Sequence, residues 1–155
     1  MYHSSWTDIL SEAYKALSSD YQKFLEADQS YFPARGHYFN AFKTLPRQKV
    51  RYILFGQDPY PRKESAVGYA LIDGKVKSIF SEKGLSKEVN RATSLRNFIK
   101  MLLVAEGKLD LADTGQAKIA ELSKESYIST IDELRINFER SGVLLLNTAL
   151  VFTDK

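Results

Sequence analysis

Residues 49–62, "KVRYILFGQDPYPR", carry an apolar run straight into a polar cluster. From Val50 to Phe55 nearly every position is apolar, which predicts a parallel strand covered on both faces, and the run stops at Gly56. An amide, a carboxylate and a phenol then follow within four residues, as Gln57, Asp58 and Tyr60. A turn needs only the glycine and the proline. The other three side chains call for a chemical explanation.

A second run of the same kind, "VLLLNTALVF", begins after Gly142 and meets its first polar residue at Asn147. Between the two lies "ATSLRNFIKMLLVAEG", in which Leu95, Phe98, Ile99, Leu102 and Leu103 fall at i, i+3, i+4, i+7 and i+8. The spacing predicts a helix with Thr93 or Ser94 as N-cap and Gly107 as its stop. Strand, helical crossover and strand make a β-α-β unit, hence an α/β fold, and such units place ligands at the carboxyl ends of their strands. "FGQDPY" and "LLLN" both finish at that edge, so two polar clusters far apart in sequence are expected to converge.

The flanking segments read more loosely. In "SSWTDILSEAYKALSSDYQKFLEAD", Ser5 and Asp8 have capping-box spacing, with Ile9, Leu10, Ala13 and Leu17 on one helical face and a second short helix after Ser18 and Ser19. Pro33, Gly36 and Pro46 break the following stretch into a loop that Phe39, Phe42 and Leu45 can pin to the core. A charged, glycine-punctuated region runs from Asp73 to Arg91. After a partly helical stretch, an amphipathic helix is predicted from about Lys124 to Arg140, carrying Tyr127, Ile128, Ile131, Leu134 and Phe138 inward.

At 155 residues, 44% of them apolar, the chain has the size and material of one domain spanning residues 1–155. Lys and Arg outnumber Asp and Glu by 22 to 19, a net charge of +3 that permits nucleic acid as a partner without demanding it. There is no apolar stretch of eighteen residues and the amino terminus has no export pattern, so no membrane is expected and a cytoplasmic location is. Zero cysteines exclude disulfides, iron–sulfur clusters and thiol nucleophiles. His3 and His37 form no metal motif, so the expected mechanism uses no metal and no cofactor.

Taken singly, Asp58 reads as a turn former, Tyr60 as packing and Asn147 as the end of a strand. Together at one sheet edge they offer a carboxylate, an aromatic wall and a bidentate amide, a set suited to a flat heterocycle bearing amide groups. Here "GQDPY" after an apolar strand, with "GVLLLN" later, resembles the GQDPY-motif uracil-DNA glycosylases. The resemblance extends over nearly the whole chain, through "SWTDIL", "YFP", "FNAF" and "SLRNFIKMLL".

That resemblance implies a three-layer α/β/α fold with a parallel sheet, of which only the first two strands are evident. It also implies DNA base-excision repair: hydrolysis of the N-glycosidic bond that releases uracil from DNA. Glycosylases as a class flip the target base out of the stack, and the resemblance extends that step to this chain. By the same resemblance Asp58 is the catalytic carboxylate beneath the sugar, and Gln57 holds the uracil O2 edge, largely through its backbone. Tyr60 stands against uracil C5, where thymine carries its methyl, and Asn147 reads O4 and N3–H. Ser94, at the start of the crossover helix, binds a DNA phosphate. Uracil-containing DNA is the expected partner, and a monomer the expected state of the complete protein.

Three departures qualify the match. Pro61 and Arg62 replace the histidine that usually follows the tyrosine. The aromatic residue that stacks on uracil falls at Leu71 in "GYALID", which supplies apolar contact but no ring face; Phe80 requires a shifted alignment. The family continues beyond the "LLLN" strand into two more strands and a loop whose histidine stabilises the departing uracilate, whereas this sequence stops at "VFTDK". The chain is therefore expected to be incomplete at its carboxyl end, with the other edge of its first strand unpaired. The competing reading is a catalytically inactive DNA- or protein-binding homologue: the carboxylate favours an enzyme, the absent histidine a binder.

Overall fold

Helix α1 (Thr7–Ala16) grows out of a 3-10 turn at Ser4–Trp6, and the two act as one anchor for the amino terminus. The Trp6 ring is buried against Phe42, and its Nε1–H donates to the Leu45 carbonyl at 2.8 Å. With Leu10, Ala41, Phe42, Leu45 and Leu144, Trp6 makes an apolar cluster. The pinning role expected of Phe42 and Leu45 is thus met. The capping box at Ser5 and Asp8 is not: the N-cap is Trp6, with no side-chain cap. The Ser5 hydroxyl instead accepts the Arg47 N–H at 2.9 Å, and Asp8 pairs with the Arg47 guanidinium at 3.0 Å. The Ile9 N–H first and Arg47 second hold the Asp8 carboxyl below the usual carboxylate range. Of the predicted inner face of α1 only Leu10 is buried, because the helix borders an open cleft shared with Tyr38 and Phe39.

The computed structural model describes residues 1–27 and 30–153. Helix α2 (Ser19–Ala27) restarts after Ser18 as expected, and β1 (Tyr31–Phe32) follows. Strand β2 (Tyr52–Gly56) comes next, ahead of a small hairpin, β3 (Phe80–Ser81) with β4 (Gly84–Leu85). Helices α3 (Lys87–Arg91), α4 (Thr93–Ala105), α5 (Gln116–Glu121) and α6 (Ile131–Arg140) lead to β5 (Val143–Asn147) and β6 (Phe152–Thr153). By contacts the chain divides into two units, one of residues 1–72 with Asn137 onward, the other of residues 73–136.

In the first unit β2 and β5 pair in parallel, Tyr52 opposite Val143 and Gly56 opposite Asn147, while β1 and β6 pair antiparallel. The α/β expectation holds. Burial of β2 on both faces does not. Leu144 and Leu145 of β5 are buried, but Tyr52, Ile53 and Phe55 are 62%, 47% and 61% exposed. A parallel strand is fully covered only when it has a neighbour on each edge and a layer on each face. Among the described residues β2 is hydrogen-bonded along one edge alone, to β5.

The second unit is held by local chemistry. Ser86 caps α3 by accepting the Val89 N–H, and the Gln116 carboxamide oxygen at the start of α5 accepts the Leu85 N–H at 2.8 Å. In α4 the predicted stripe is met at Leu95, Ile99 and Leu103, and Gly107 ends the helix with φ +68°. Its N-cap is Ala92 rather than Thr93 or Ser94, and makes no side-chain bond. The last helix is shorter than predicted, since Tyr127 and Ile128 precede it. Thr130 and Glu133 form a capping box: the Glu133 carboxylate accepts the Thr130 N–H at 3.1 Å, and Thr130 Oγ1 accepts the Glu133 N–H at 3.2 Å. That box starts the helix at Ile131, leaving Tyr127 to pack against Phe80.

Candidate active site

The parallel register puts the ends of β2 and β5 at the same level, Gly56 beside Asn147. The two chains stay tied beyond the strands. Thr148 N–H donates to the Gly56 carbonyl at 2.9 Å, and the Gln57 carbonyl accepts both the Thr148 hydroxyl at 2.9 Å and the Ala149 N–H at 3.0 Å. The peptide plane at Gln57 is thereby fixed by groups from the other strand.

Gly56 is required by its neighbour. A Cβ at this position would sit 2.2 Å from Asn147 Oδ1 and 3.0 Å from Ala70 Cβ, well inside contact distance. The missing side chain leaves the space in which the Asn147 amide lies, although Asn147 is only 7% exposed. A buried amide oriented by packing is suited to recognising a partner with one donor and one acceptor side by side.

From this edge the motif runs outward. Asp58 is exposed, Pro59 is buried and holds the turn to the body of the unit, and Tyr60 is half-buried. The Tyr60 hydroxyl donates to the Leu71 carbonyl at 3.3 Å. Leu71, half-buried, lies between the buried Ala70 and Ile72, and the Ala70 N–H donates to the Leu145 carbonyl of β5 at 3.2 Å. Gln57, Asp58, Tyr60, Leu71 and Asn147 therefore all belong to the first unit, gathered at or beyond the carboxyl edge of the parallel pair. Ser94 lies in the second unit, exposed, at the second position of the thirteen-residue α4.

Sequence reasoning missed three contributors. Thr148 fixes Gln57, a role hidden in the apolar context of "LLLNTALV". Gly56 was legible only as a turn, and Ala70 not at all. Phe80, the alternative ring, lies in the second unit against Tyr127. The His3 ring is engaged by the Ser5 N–H and hydroxyl at 3.2 and 2.9 Å. Among the described residues no group of three or more His, Asp or Glu side chains is placed to hold a metal, and no helix is long and apolar enough to cross a membrane.

No family model matches the chain. The uracil-DNA glycosylase of Streptococcus mutans is 28% identical over 99% of the chain, and that of Pediococcus pentosaceus is 28% identical over 98%. The chain spans 58% and 54% of their respective lengths. The crystal structure of wild-type UNG from Nitratifractor salsuginis superposes with a TM-score of 0.92 at 58% identity, covering 99% of this chain and 62% of that one. A mimivirus uracil-DNA glycosylase, 16% identical with a TM-score of 0.55, shares the fold. In sequence and in backbone the chain is similar to uracil-DNA glycosylases along essentially all of its residues, and it spans 54% to 62% of the length of the Pediococcus, Streptococcus and Nitratifractor proteins.

Proposed function

We propose that the protein is a DNA-repair hydrolase that cleaves the N-glycosidic bond of deoxyuridine in DNA. The observation that carries this reading is the register of the parallel pair, which sets the "GQDPY" turn beside the buried Asn147 amide. The reaction breaks the bond between C1′ and N1, leaving its electron pair on uracil, while water adds to C1′ and loses a proton. Positive charge grows on the sugar and negative charge on the base. Asp58, exposed at the edge, is assigned to the first: an ionised carboxylate under the sugar favours the cation and orients the water. Asn147 is assigned to O4 and N3–H of the base, the backbone of Gln57 to O2, Tyr60 and Leu71 to the pocket wall, and Ser94 to a phosphate.

No metal or cofactor enters this scheme. It describes an enzyme, monomeric when complete, acting in the cytoplasm on a uracil flipped out of DNA. The test is single-turnover release of uracil from a single-stranded oligonucleotide, where no base pair has to be broken. Asp58→Asn is expected to slow release by about 10²- to 10³-fold or more while leaving the melting temperature unchanged, since preorganised charge contributes on that scale. Cleavage by Asp58→Asn at the parent rate overturns the assignment of Asp58. Binding of uracil-containing DNA without release by the parent would favour the non-catalytic reading.

A further inference from the structure

Leu71 is, among the described residues, the one non-glycine with positive φ, at +69°. Leucine avoids this region because its Cβ crowds the following carbonyl oxygen, and such residues persist where their surroundings over-determine them, often at ligand clamps. The surroundings here do so. Asn40 donates its side-chain N–H to the Val67 carbonyl at 3.0 Å, the Ala41 N–H donates to the Gly68 carbonyl at 3.2 Å, and Ala70 is tied to Leu145. Ala70 and Ile72, on either side, are 0% and 2% exposed. A glycine would take the same backbone without strain. The chain keeps a leucine.

The consequence of this turn is the direction of one carbonyl. The Leu71 oxygen meets the Tyr60 hydroxyl, so the phenol is held at both ends, by the buried Pro59 turn at its backbone and by a fixed acceptor at its tip. A tyrosine held only at Cα can yield to a methyl group by a change of rotamer. One held at two points cannot move without breaking a bond.

We infer that the Leu71 carbonyl is a positioning group for Tyr60, and that the Tyr60–Leu71 link, beyond the bulk of the ring, sets refusal of pyrimidines substituted at C5. This rests on the reading that the pocket takes uracil. Tyr60→Phe keeps the ring and deletes the bond, Tyr60→Ala deletes both, and Leu71→Ala removes the side chain but keeps the carbonyl. The readout is the ratio of kcat/KM for uracil to that for thymine in otherwise identical single-stranded oligonucleotides, with the melting temperature of each variant as the check on folding.

Tyr60→Phe is expected to lower that ratio by about tenfold, the low end of what one methyl group is worth in a rigid apolar site. Tyr60→Ala should lower it further. Leu71→Ala should raise KM for uracil and leave the ratio in place. A Tyr60→Phe ratio equal to the parent's, with Asp58-dependent uracil release intact, overturns the inference and spares the functional reading. A fall of the ratio in Leu71→Ala as large as in Tyr60→Phe also overturns it, because the side chain and not the carbonyl would then be responsible. Absence of Asp58-dependent release in the parent overturns the functional reading, and this inference with it.

Discussion

Replacing Gly56 by alanine adds one methyl group at the point where the two strands meet. Its Cβ would lie 2.2 Å from Asn147 Oδ1, whereas ordinary contact begins at 3.4 Å, so the amide must retreat by the difference, 1.2 Å. Retreat is obstructed, because Asn147 is 7% exposed and Ala70 Cβ stands 3.0 Å from the same new atom. Two outcomes are open. If the core gives way, overpacking costs about 1–3 kcal/mol, a fall in melting temperature of roughly 2–12 °C for a chain of this size. If Asn147 turns aside, the two bonds assigned to it are lost, about 1–3 kcal/mol together, or roughly 5- to 150-fold in the rate of uracil release. Thermal unfolding and single-turnover release, measured on the same preparation, separate the two. Asn147→Ala supplies the control: with Oδ1 gone only the 3.0 Å approach to Ala70 remains, so adding Gly56→Ala should cost less than it does in the parent and the pair is non-additive. A Gly56→Ala protein that melts and cleaves like the parent, or a pair that is additive, refutes the reasoning.

Phe55, 61% exposed on β2, should accept lysine with a stability change of no more than about 0.5 kcal/mol while concentration-dependent association falls in sedimentation velocity; unchanged association would show that this strand is not sticky. Thr130→Ala removes the N-cap of α6 and should cost about 1 kcal/mol in chemical denaturation. The Ser129 and Thr130 N–H groups hold the Glu133 carboxyl below 4.5, its ordinary value, so its contribution is present above that pH and fades as pH falls through the lower value of the folded protein. Amide exchange at Ser129 and Thr130, corrected for the intrinsic pH dependence, should therefore accelerate in acid in the parent and be independent of pH there in Glu133→Gln.

What could be read in the sequence was what depends on neighbours along the chain. The apolar runs ending at Gly56 and Asn147 marked the parallel pair, and the stripe through Leu95, Ile99 and Leu103 marked α4. One failure came where a distant group competed. Asp8 had the spacing of a cap but is drawn to Arg47, 39 residues away. Tyr127 and Ile128 continue the helical period of α6, yet the Thr130–Glu133 box starts the helix after them, a pattern that was present in the sequence and outweighed by hydrophobicity. The exposure of β2 was not legible in its apolar run, which states what a strand can bury and not what is there to cover it; the unpaired second edge was expected from the family resemblance alone. At the site, the residue types were legible and their support was not. Nothing in "GYALID" signals a left-handed leucine, and no local pattern couples Thr148 to Gln57.

The fastening of the Leu71 turn to β5 also decides how the candidate pocket moves in time. The Ala70 amide is buried and donates to Leu145, itself 2% exposed, so it can exchange with solvent only when that part of the strand pair opens. This wall of the pocket and β5 then form one cooperative unit, unlike the loosely held lids that close over many sites. On the proposed reading, a base arriving at such a wall waits for no loop to fold down at Leu71, and its capture depends on encounter and on its own excursion from the stack. The temperature at which this wall loses its shape is the temperature at which β2 and β5 part.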